Sequence, residues 1–393
     1  MSVDAVPDVV VAGGGVIGAA IAWRAALAGL DVVVVDPEAG DGASLVAAGM
    51  LAPVSESLFG EDDLLRINLL ALARFPSFAA DLEAAVGQPI GLRREGTLAI
   101  AYDPGDYAAL MRLTAFRRSA GLDAEELDSR ACRKLEPFLT PDVHGGVLFG
   151  GDWSVDNRRY VAALRTAMVA AGVRAVRDRV TAVRGGEGQA GPAVLLADGR
   201  VIECATVVVA TGSWTRSIAG LPDELRTAIR PVKGQLLRLR HPAGLPQITT
   251  HTIRATVRGT DIYLVPRADG EMIVGATQEE REDQLVTAGA VHDLLHDAMS
   301  VLPVTSELVL AETCAGLRPG TRDNGPVVGW AGPGTGAGTG TGRILLATGH
   351  YRNGILMSAA TADAVVACLT GQDPAPEWGP FNPARFSRSA VPR

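Results

Sequence analysis

Apolar positions along the chain follow three patterns. Short unbroken runs read as strands buried on both faces: VVVA at 9–12, VVVV at 32–35, TVVVATG at 206–212 and RILLATGH at 343–350. Other stretches repeat every three or four residues and read as helices. Residues 61–86 carry Leu64, Leu65, Leu69, Leu72 and Phe75 in this rhythm, and a further helix is expected over 105–120. Asp156 or Asn157 is a good N-cap for a helix whose apolar face holds Tyr160, Val161, Leu164, Ala167, Met168 and Ala171, with Gly172 ending it. Helices are also expected at 287–300 and from Asn353 onward, where Ile355, Ala359, Ala362, Val366 and Leu369 share a face. From about 225 to 315 the pattern becomes alternation in QLLRLR, DIYLVPR, EMIVGAT and LVLAETCAGLRP, which suits an antiparallel sheet with one wet face. Short strands are expected at 97–102, 173–176, 179–184, 193–197 and 200–204, with Asp198-Gly199 as a hairpin turn. Residues 125–137 read as a short helix stopped by proline, 331–342 as a low-complexity surface loop, and the proline-rich tail after 371 as lying over the surface.

The link between the first two apolar runs carries chemistry. Residues 8–20 read DVVVAGGGVIGAA, and the second run closes in Asp36. Gly13 allows a sharp turn after the strand. Gly15 leaves out a side chain where a pyrophosphate approaches the backbone, and Gly18 lets the helix pack on the sheet. The helix N-terminus offers unpaired N–H groups and a partial positive charge to phosphates. Asp36 suits a ribose diol and repels a 2′-phosphate. Three glycines alone are weak evidence; strand, turn, helix, strand and acid in this order and spacing are strong evidence for a bound dinucleotide.

Size and composition narrow the setting. The chain has 393 residues, enough for two domains, and a net charge of −8, which argues against nucleic acid or an anionic membrane as partner. No apolar run is long enough to span a membrane, and no signal peptide is expected. Cys132, Cys204, Cys314 and Cys368 lack metal-ligand spacing, so neither a metal site nor a disulfide framework is expected, and a reducing cytoplasm fits.

An NAD dehydrogenase continues its strand–helix alternation directly after the first unit. This chain goes into irregular structure instead and returns for ATVVVATGSWT near the middle and a strand–Gly349–helix unit near the end. These returns are a feature of FAD proteins. The helix after Gly349 can support negative charge on a reduced ring. The expected fold is α/β. A discontinuous Rossmann-like FAD-binding domain takes 1–55, 150–225 and 318–393. A substrate domain with a mainly antiparallel sheet and flanking helices takes 56–149 and 226–317.

Nine stretches spread over essentially the whole chain carry a more specific signal. They are GGGVIGAAIAW (13–23), SLVAAGMLAP (44–53), WSVDNRRY (153–160), ATGSWT (210–215), PVKGQ (231–235), YLVPR (263–267), VGAT (274–277), AGLRPGTRDNGPVVG (315–329) and ATGHYRNGILMS (347–358). Together they resemble the glycine oxidases, of the thiamine-biosynthesis type, within the FAD-dependent D-amino-acid oxidase/sarcosine oxidase family. The resemblance implies oxidation of glycine and other small amines by hydride transfer to the flavin, with O2 as acceptor. Glyoxylate, ammonia and hydrogen peroxide follow through an imine. It further implies a homotetramer that hands the imine to a thiazole synthase.

The resemblance also implies site residues. Val16, Ile17, Asp36, Ala43 and Ser44 match positions around the FAD adenosine and pyrophosphate, and Val180 matches a contact on the adenine side. Ala47, Ala48, Gly49 and Met50 match the loop against the flavin. Gly212 and Gly349 belong to the matching turns. His350, Tyr351, Arg352, Asn353, Gly354, Ile355 and Leu356 match the stretch under the pyrimidine end of the ring. Arg352 matches the carboxylate-binding arginine, Arg318 a second active-site arginine and Tyr263 a substrate-site tyrosine. Two departures stand out: Gln278 replaces a methionine near the substrate, and Ala43 replaces a threonine, so one phosphate contact must come from elsewhere.

Residue chemistry agrees with this reading. Amine oxidation by a flavin asks the protein chiefly for positioning and electrostatics, so no side chain is assigned as catalytic, and an arginine fork suits an amino acid's carboxylate. Structural readings stand beside the functional ones: a salt bridge for Arg352 or Arg318, a core tyrosine for Tyr263, a satisfied core histidine for His350, and packing for Trp153 and Trp214. Sarcosine oxidase-like relatives attach FAD through a cysteine. The counterpart here is Gly316, two residues beyond Cys314, so non-covalent FAD is expected. The alternatives are a sarcosine or D-amino-acid oxidase or dehydrogenase of the same fold, an NAD(P)H-dependent flavin monooxygenase, for which no second GxGxxG is visible, and a flavin-binding protein without turnover.

Overall fold

In the computed structural model, which describes residues 6–37, 42–185, 191–332 and 343–387, the valine-rich runs lie side by side. Val9–Ala12 pairs in parallel with Val32–Val35 on one side and Thr206–Val209 on the other. Arg174–Val176 and Ile344–Thr348 extend the sheet outward, and Val327–Trp330 adds an antiparallel edge. Strand order reverses about Val9–Ala12. The loops leaving the carboxyl ends of this strand and of Thr206–Val209 therefore diverge and open a crevice.

Helices cover one face of this sheet. Val16–Leu27, Asp62–Val86, Asn157–Ala170 and Gly354–Leu369 bury Trp23, Phe75, Phe78 and Tyr160 among them. Trp23 meets Phe78 edge-on at 5.1 Å, and the Tyr160 hydroxyl shares a 2.7 Å hydrogen bond with Ser358. The last helix is buried nearly all round, Ser358, Ala360 and Thr361 included, while Val366 and Leu369 are only partly covered. The face of Ile355, Ala359 and Ala362 is buried as expected, and most of the remaining surface is covered too, because the helix lies against both the first helix and the long one. The opposite face carries the small antiparallel sheet Val180–Arg184, Ala193–Leu196 and Val201–Glu203, turned at Asp198-Gly199 as expected.

A second sheet of eight strands runs in the order Val309–Gly320, Arg230–Arg240, Glu271–Gly275, Thr260–Pro266, Thr252–Val257, Thr97–Ala101, Gly145–Phe149 and Glu125–Asp128. It is antiparallel except where Thr252–Val257 meets Thr97–Ala101. The helix Ala288–Val301, capped by the Thr287 hydroxyl, packs Leu294, Ala298 and Val301 onto it.

Several elements depart from the sequence reading. Residues 125–128 are an edge strand paired with Gly145–Phe149, and the helix starts only at Ser129, capped by the Asp128 carboxylate. The ladder outranks local helix preference there. The strand at 206 ends at Val209, because Ala210–Gly212 leave the sheet for the crevice. Strands at 145–149, 252–257 and 327–330 were not anticipated. The tail beyond 371 is no mere surface strap, since Trp378 and Phe381 are buried in the main core. Of the low-complexity loop at 331–342, residues 333–342 lie outside the described residues. Among the described residues no helix is long and apolar enough to cross a membrane, and no cluster of His, Cys, Asp or Glu could hold a metal.

Candidate functional site

A cavity of about 750 Å3 lies between the carboxyl ends of the six-stranded sheet and the inner face of the eight-stranded one. At one end the glycine turn forms its wall, and the three glycines do different work. Gly13 has φ +101, and a Cβ there would stand 2.5 Å from the Ala210 carbonyl oxygen. A Cβ on Gly18 would be driven into the Gly13 carbonyl. Both are glycine because of the chain's own packing. Gly15 lines the cavity, and the nearest atom to a Cβ there is Ser44 Oγ at 3.4 Å, so its missing side chain leaves space for an occupant. Asp36 accepts a 2.6 Å hydrogen bond from Gly14 N, and Ser44 Oγ accepts one of 3.0 Å from Val16 N. The positive end of the first helix points at this wall.

The middle of the cavity is bounded by residues 43–50 on one side and 347–355 on the other. Two buried arginines hold the first segment from behind. Arg238 donates to the Leu45 carbonyl (3.2 Å) and pairs with Glu271 (2.7 Å); Arg267 donates to the Ala48 carbonyl. Both also reach Asn157 Oδ1, at 3.3 and 3.4 Å. Burial pushes the Arg267 guanidinium down to about 10. Gly49 has φ +76 and packs against the Val155 carbonyl, leaving no room for a Cβ. On the other side, Tyr351 adopts φ +48, a conformation non-glycine residues rarely hold. His350 is buried, shares a 3.0 Å hydrogen bond with Thr361, and is pushed by burial down to about 3, so its ring is neutral.

The far end is built from side chains. Tyr263 stands across from Gly275 in the sheet, and a Cβ on that glycine would lie 2.5 Å from the tyrosine hydroxyl. The Arg318 guanidinium lies over Gly234 in the same way. These two glycines let both side chains lie flat across the sheet. Arg318 donates to the Thr277 carbonyl at 3.2 Å, and among the described residues it has no ion-paired carboxylate. Burial raises the Tyr263 pKa, with the Arg318 cation pulling the other way, so the phenol stays protonated.

The other two arginines on this wall are already neutralised. Arg352 donates to Glu61 (3.0 Å) and to the Glu56 carbonyl (3.3 Å), and Arg254 pairs with the Glu56 carboxylate at 2.6 Å. Glu61 is held in turn by Asn324 at 2.8 Å. The segment carrying Glu56 is clamped from two sides. Asp152 accepts from Val54 N and Ser55 N, both at 3.0 Å, and Arg117 donates to the carbonyls of Ser55 (2.6 Å) and Ser57 (3.2 Å). Burial raises Asp152 to about 6 and lowers Arg117 to about 10.

Most of the expected site residues meet on this one surface. Gly13, Gly15, Val16, Ile17, Asp36, Ala43, Ser44, Ala47, Ala48, Gly49, Met50, Val180, Gly212, Tyr263, Arg318, His350, Tyr351, Arg352, Gly354 and Ile355 all line the cavity, as does Gln278. Gly18, Gly349, Asn353 and Leu356 do not: Gly18 and Gly349 are packed behind the wall, and Asn353 and Leu356 are buried in the core. Glu56, Arg254 and Asp261 line it and were missed. A charged residue at an inward position of an alternating strand was the available signal for Arg254, as it was for Arg238. Nothing flagged Glu56, Asp152 or Arg117. An open cradle at Gly15, a ribose-type acid at Asp36 and a long cavity fit an extended dinucleotide with its ring toward Tyr263 and Arg318. Cys314 is not on the wall; Gly316, which has no thiol, is.

The family model described as FAD dependent oxidoreductase (DAO) matches residues 8–368. The bifunctional protein ThiO/ThiG of Synechocystis sp. is 32% identical over 388 residues, covering 98% of this chain and 55% of that protein, so the chain spans about half the length of such bifunctional relatives. The glycine oxidase of Geobacillus kaustophilus is 31% identical over 381 residues, covering 96% and 97% of the two chains. Its crystal structure superposes with a TM-score of 0.85 at 30% identity, covering 96% of this chain and 98% of that one.

Proposed function

From its membership of the DAO family of FAD-dependent oxidoreductases, to which the chain belongs, we propose that it oxidises glycine and other small amino acids with O2 as acceptor. The observation that carries this is Arg318, a guanidinium without an ion-paired carboxylate among the described residues, beside a protonated tyrosine at the end of a cavity whose opposite end is a glycine cradle. We take the sheet containing the glycine turn, with its helices, as the cofactor-binding part and the eight-stranded sheet as the amine-binding part.

Bound FAD supplies a two-electron acceptor for the C–H bond of an amine. The protein's side chains do the rest by placement. Arg318 holds the substrate carboxylate in a forked, charge-assisted contact, and the Tyr263 hydroxyl donates a further hydrogen bond. Arg352 has its charge answered by Glu61 and shapes the wall, so the anchoring role expected of Arg352 passes to Arg318. Burial makes His350, at about 3, too weak a base to take a proton from the amine, and its Nε2 is engaged with Thr361. The substrate ammonium therefore sheds its proton to water, and kcat/KM rises with pH without an inflection near the ~6.5 of an ordinary imidazole. Glycine at 316, where the resemblance to sarcosine oxidase-like proteins implies a linking cysteine, supports non-covalent attachment.

Relatives named ThiO/ThiG join two functions in one chain, which supports transfer of the product imine to a thiazole synthase. A cytoplasmic homotetramer belongs to the same reading and is checked by light scattering of the purified protein. The deciding experiment is anaerobic titration of the yellow protein with glycine, sarcosine and D-alanine, followed by air. Bleaching by these amines and recovery with peroxide formation are expected; a flavin that none of them bleaches sinks the proposal.

A further inference from the structure

The strand under Arg318 faces two ways. Gly234, on which the guanidinium lies, and Leu236 line the main cavity. Lys233 and Gln235 alternate with them, point away from the cavity and are fully buried. These two side chains hold residues 277–287, the segment that follows Glu271–Gly275. Lys233 Nζ donates to Asp283 at 2.7 Å. Gln235 Nε2 donates to Glu279 Oε1 at 2.7 Å, and its own Oε1 accepts from Thr287 N at 2.7 Å. Backbone bonds of 2.8 and 2.9 Å join Lys233 and Glu279 in both directions. Thr277 is fixed at three points. Its N–H donates to the Gln235 carbonyl at 3.1 Å, and its hydroxyl accepts from Gln235 N at 2.9 Å and donates to Glu279 Oε1 at 2.6 Å. Its fourth polar group, the carbonyl, takes Arg318 Nη1 at 3.2 Å. Burial pushes the Glu279 carboxyl up, but the bonds from Thr277 and Gln235 and the Lys233 cation outweigh it and leave the pKa lowered, so Glu279 accepts at both contacts.

We propose that Glu279 is a positioning residue for the amine oxidation: with Gln235 it holds Thr277 so that the Thr277 carbonyl sets the direction of the Arg318 fork, and with it the grip on the substrate carboxylate. The inference rests on the reading of Arg318 as the carboxylate anchor. A guanidinium can be aimed by an ion-paired carboxylate, but its charge is then answered before substrate arrives, as it is for Arg352. Arg318 has no such partner among the described residues and lies over a residue without a side chain. A neutral carbonyl aims one arm of the fork and leaves the positive charge for the substrate. That carbonyl is a fixed point only while its residue is held, and the Thr277 hydroxyl and the Gln235 amide both end on one oxygen of Glu279. Glu279 itself does not line the cavity, so it acts through Thr277 and not by contact with the amine.

The test compares Glu279→Ala, which removes the acceptor, with Glu279→Gln, whose amide oxygen can accept the same bonds, each made in the wild type and in Arg318→Met. In the wild-type background Glu279→Ala is expected to raise KM for glycine about tenfold with kcat held within about twofold, and Glu279→Gln to stay within about twofold of wild type in both. In the Arg318→Met background Glu279→Ala is expected to change kcat/KM by less than about twofold, because the group it positions is gone. A merely structural role would lower kcat/KM by the same factor in both backgrounds. Carboxylate binding is read separately, by perturbation of the flavin spectrum with acetate. Acetate should bind about tenfold more weakly to Glu279→Ala and recover in Glu279→Gln. That result supports the positioning role even in a protein that oxidises no amine, in which case the function reading falls alone. Thr277→Val, with Thr277→Ser as its rescue, gives the same contrast should Glu279→Ala not fold. Unchanged KM and acetate affinity in Glu279→Ala, no recovery in Glu279→Gln, or an equal loss in the Arg318→Met background overturns the proposal.

Discussion

The two ends of the main cavity are made from different materials. At the nucleotide end the wall is backbone: the turn of Gly13 and Gly15 and the start of the first helix, tied by the side chains of Asp36 and Ser44. At the amine end the wall is side chains: Arg318 and Tyr263 laid over glycines, and Arg352, Arg254, Glu56 and Glu61 linked as ion pairs. A backbone wall suits a ligand part that is constant, because N–H groups at a helix start recognise a phosphate whatever it is joined to. A side-chain wall can be changed one residue at a time, which suits the part that decides specificity.

That contrast can be broken at either end. The largest effect is expected from Gly18→Val. Its side chain collides with the Gly13 carbonyl, and no side-chain rearrangement relieves a clash with backbone, so the protein should purify without flavin and melt at markedly lower temperature. Retention of flavin by this variant would mean the turn is not the cradle. Next comes Arg318→Met, which should lower kcat/KM about 10³-fold, on the order of 4 kcal/mol, with flavin content unchanged. Arg352→Met should cost far less, and equal losses would erase the distinction between the unpaired and the neutralised arginine.

An intermediate effect concerns the clamp on Glu56. Asp152 has a folded-state pKa of about 6, above the ~3.9 of a free aspartate, so the folded protein binds the extra proton between these values. Stability from this group therefore falls as pH rises from about 4 to 6, by about 3 kcal/mol in all. Denaturant unfolding of the wild type and Asp152→Asn at pH 4, 5, 6 and 7 should show the variant missing this slope. The smallest effect is expected from Tyr263→Phe, about tenfold in kcat/KM for loss of one hydrogen bond to a charged group, carried mainly by KM.

The same contrast explains what could be read from the sequence. Backbone-built features depend on spacing, and spacing is visible: the glycine turn, Asp36 and the buried parallel strands fall where the sequence put them. Side-chain networks depend on which strands become neighbours. Arg254 faces Tyr263 only because Thr252–Val257 pairs with Thr260–Pro266, and that first strand was not anticipated. Asp152 and Arg117 meet the Val54–Ser57 segment across 98 and 60 positions of chain, respectively, separations that no local pattern encodes. The edge strand at 125–128 and the buried Trp378 and Phe381 were hidden for the same reason: their partners are remote.

The central sheet takes its strands from residue 9 through residue 348, and the final helix seals against the first. During synthesis the opening turn therefore has one neighbouring strand early, the other only at residues 206–209, and the helix that packs on its own helix only after residue 369 has been made. Capture of the flavin then waits on those remote segments, and replacing the sealing helix Gly354–Leu369 should cripple a binding turn more than three hundred positions upstream.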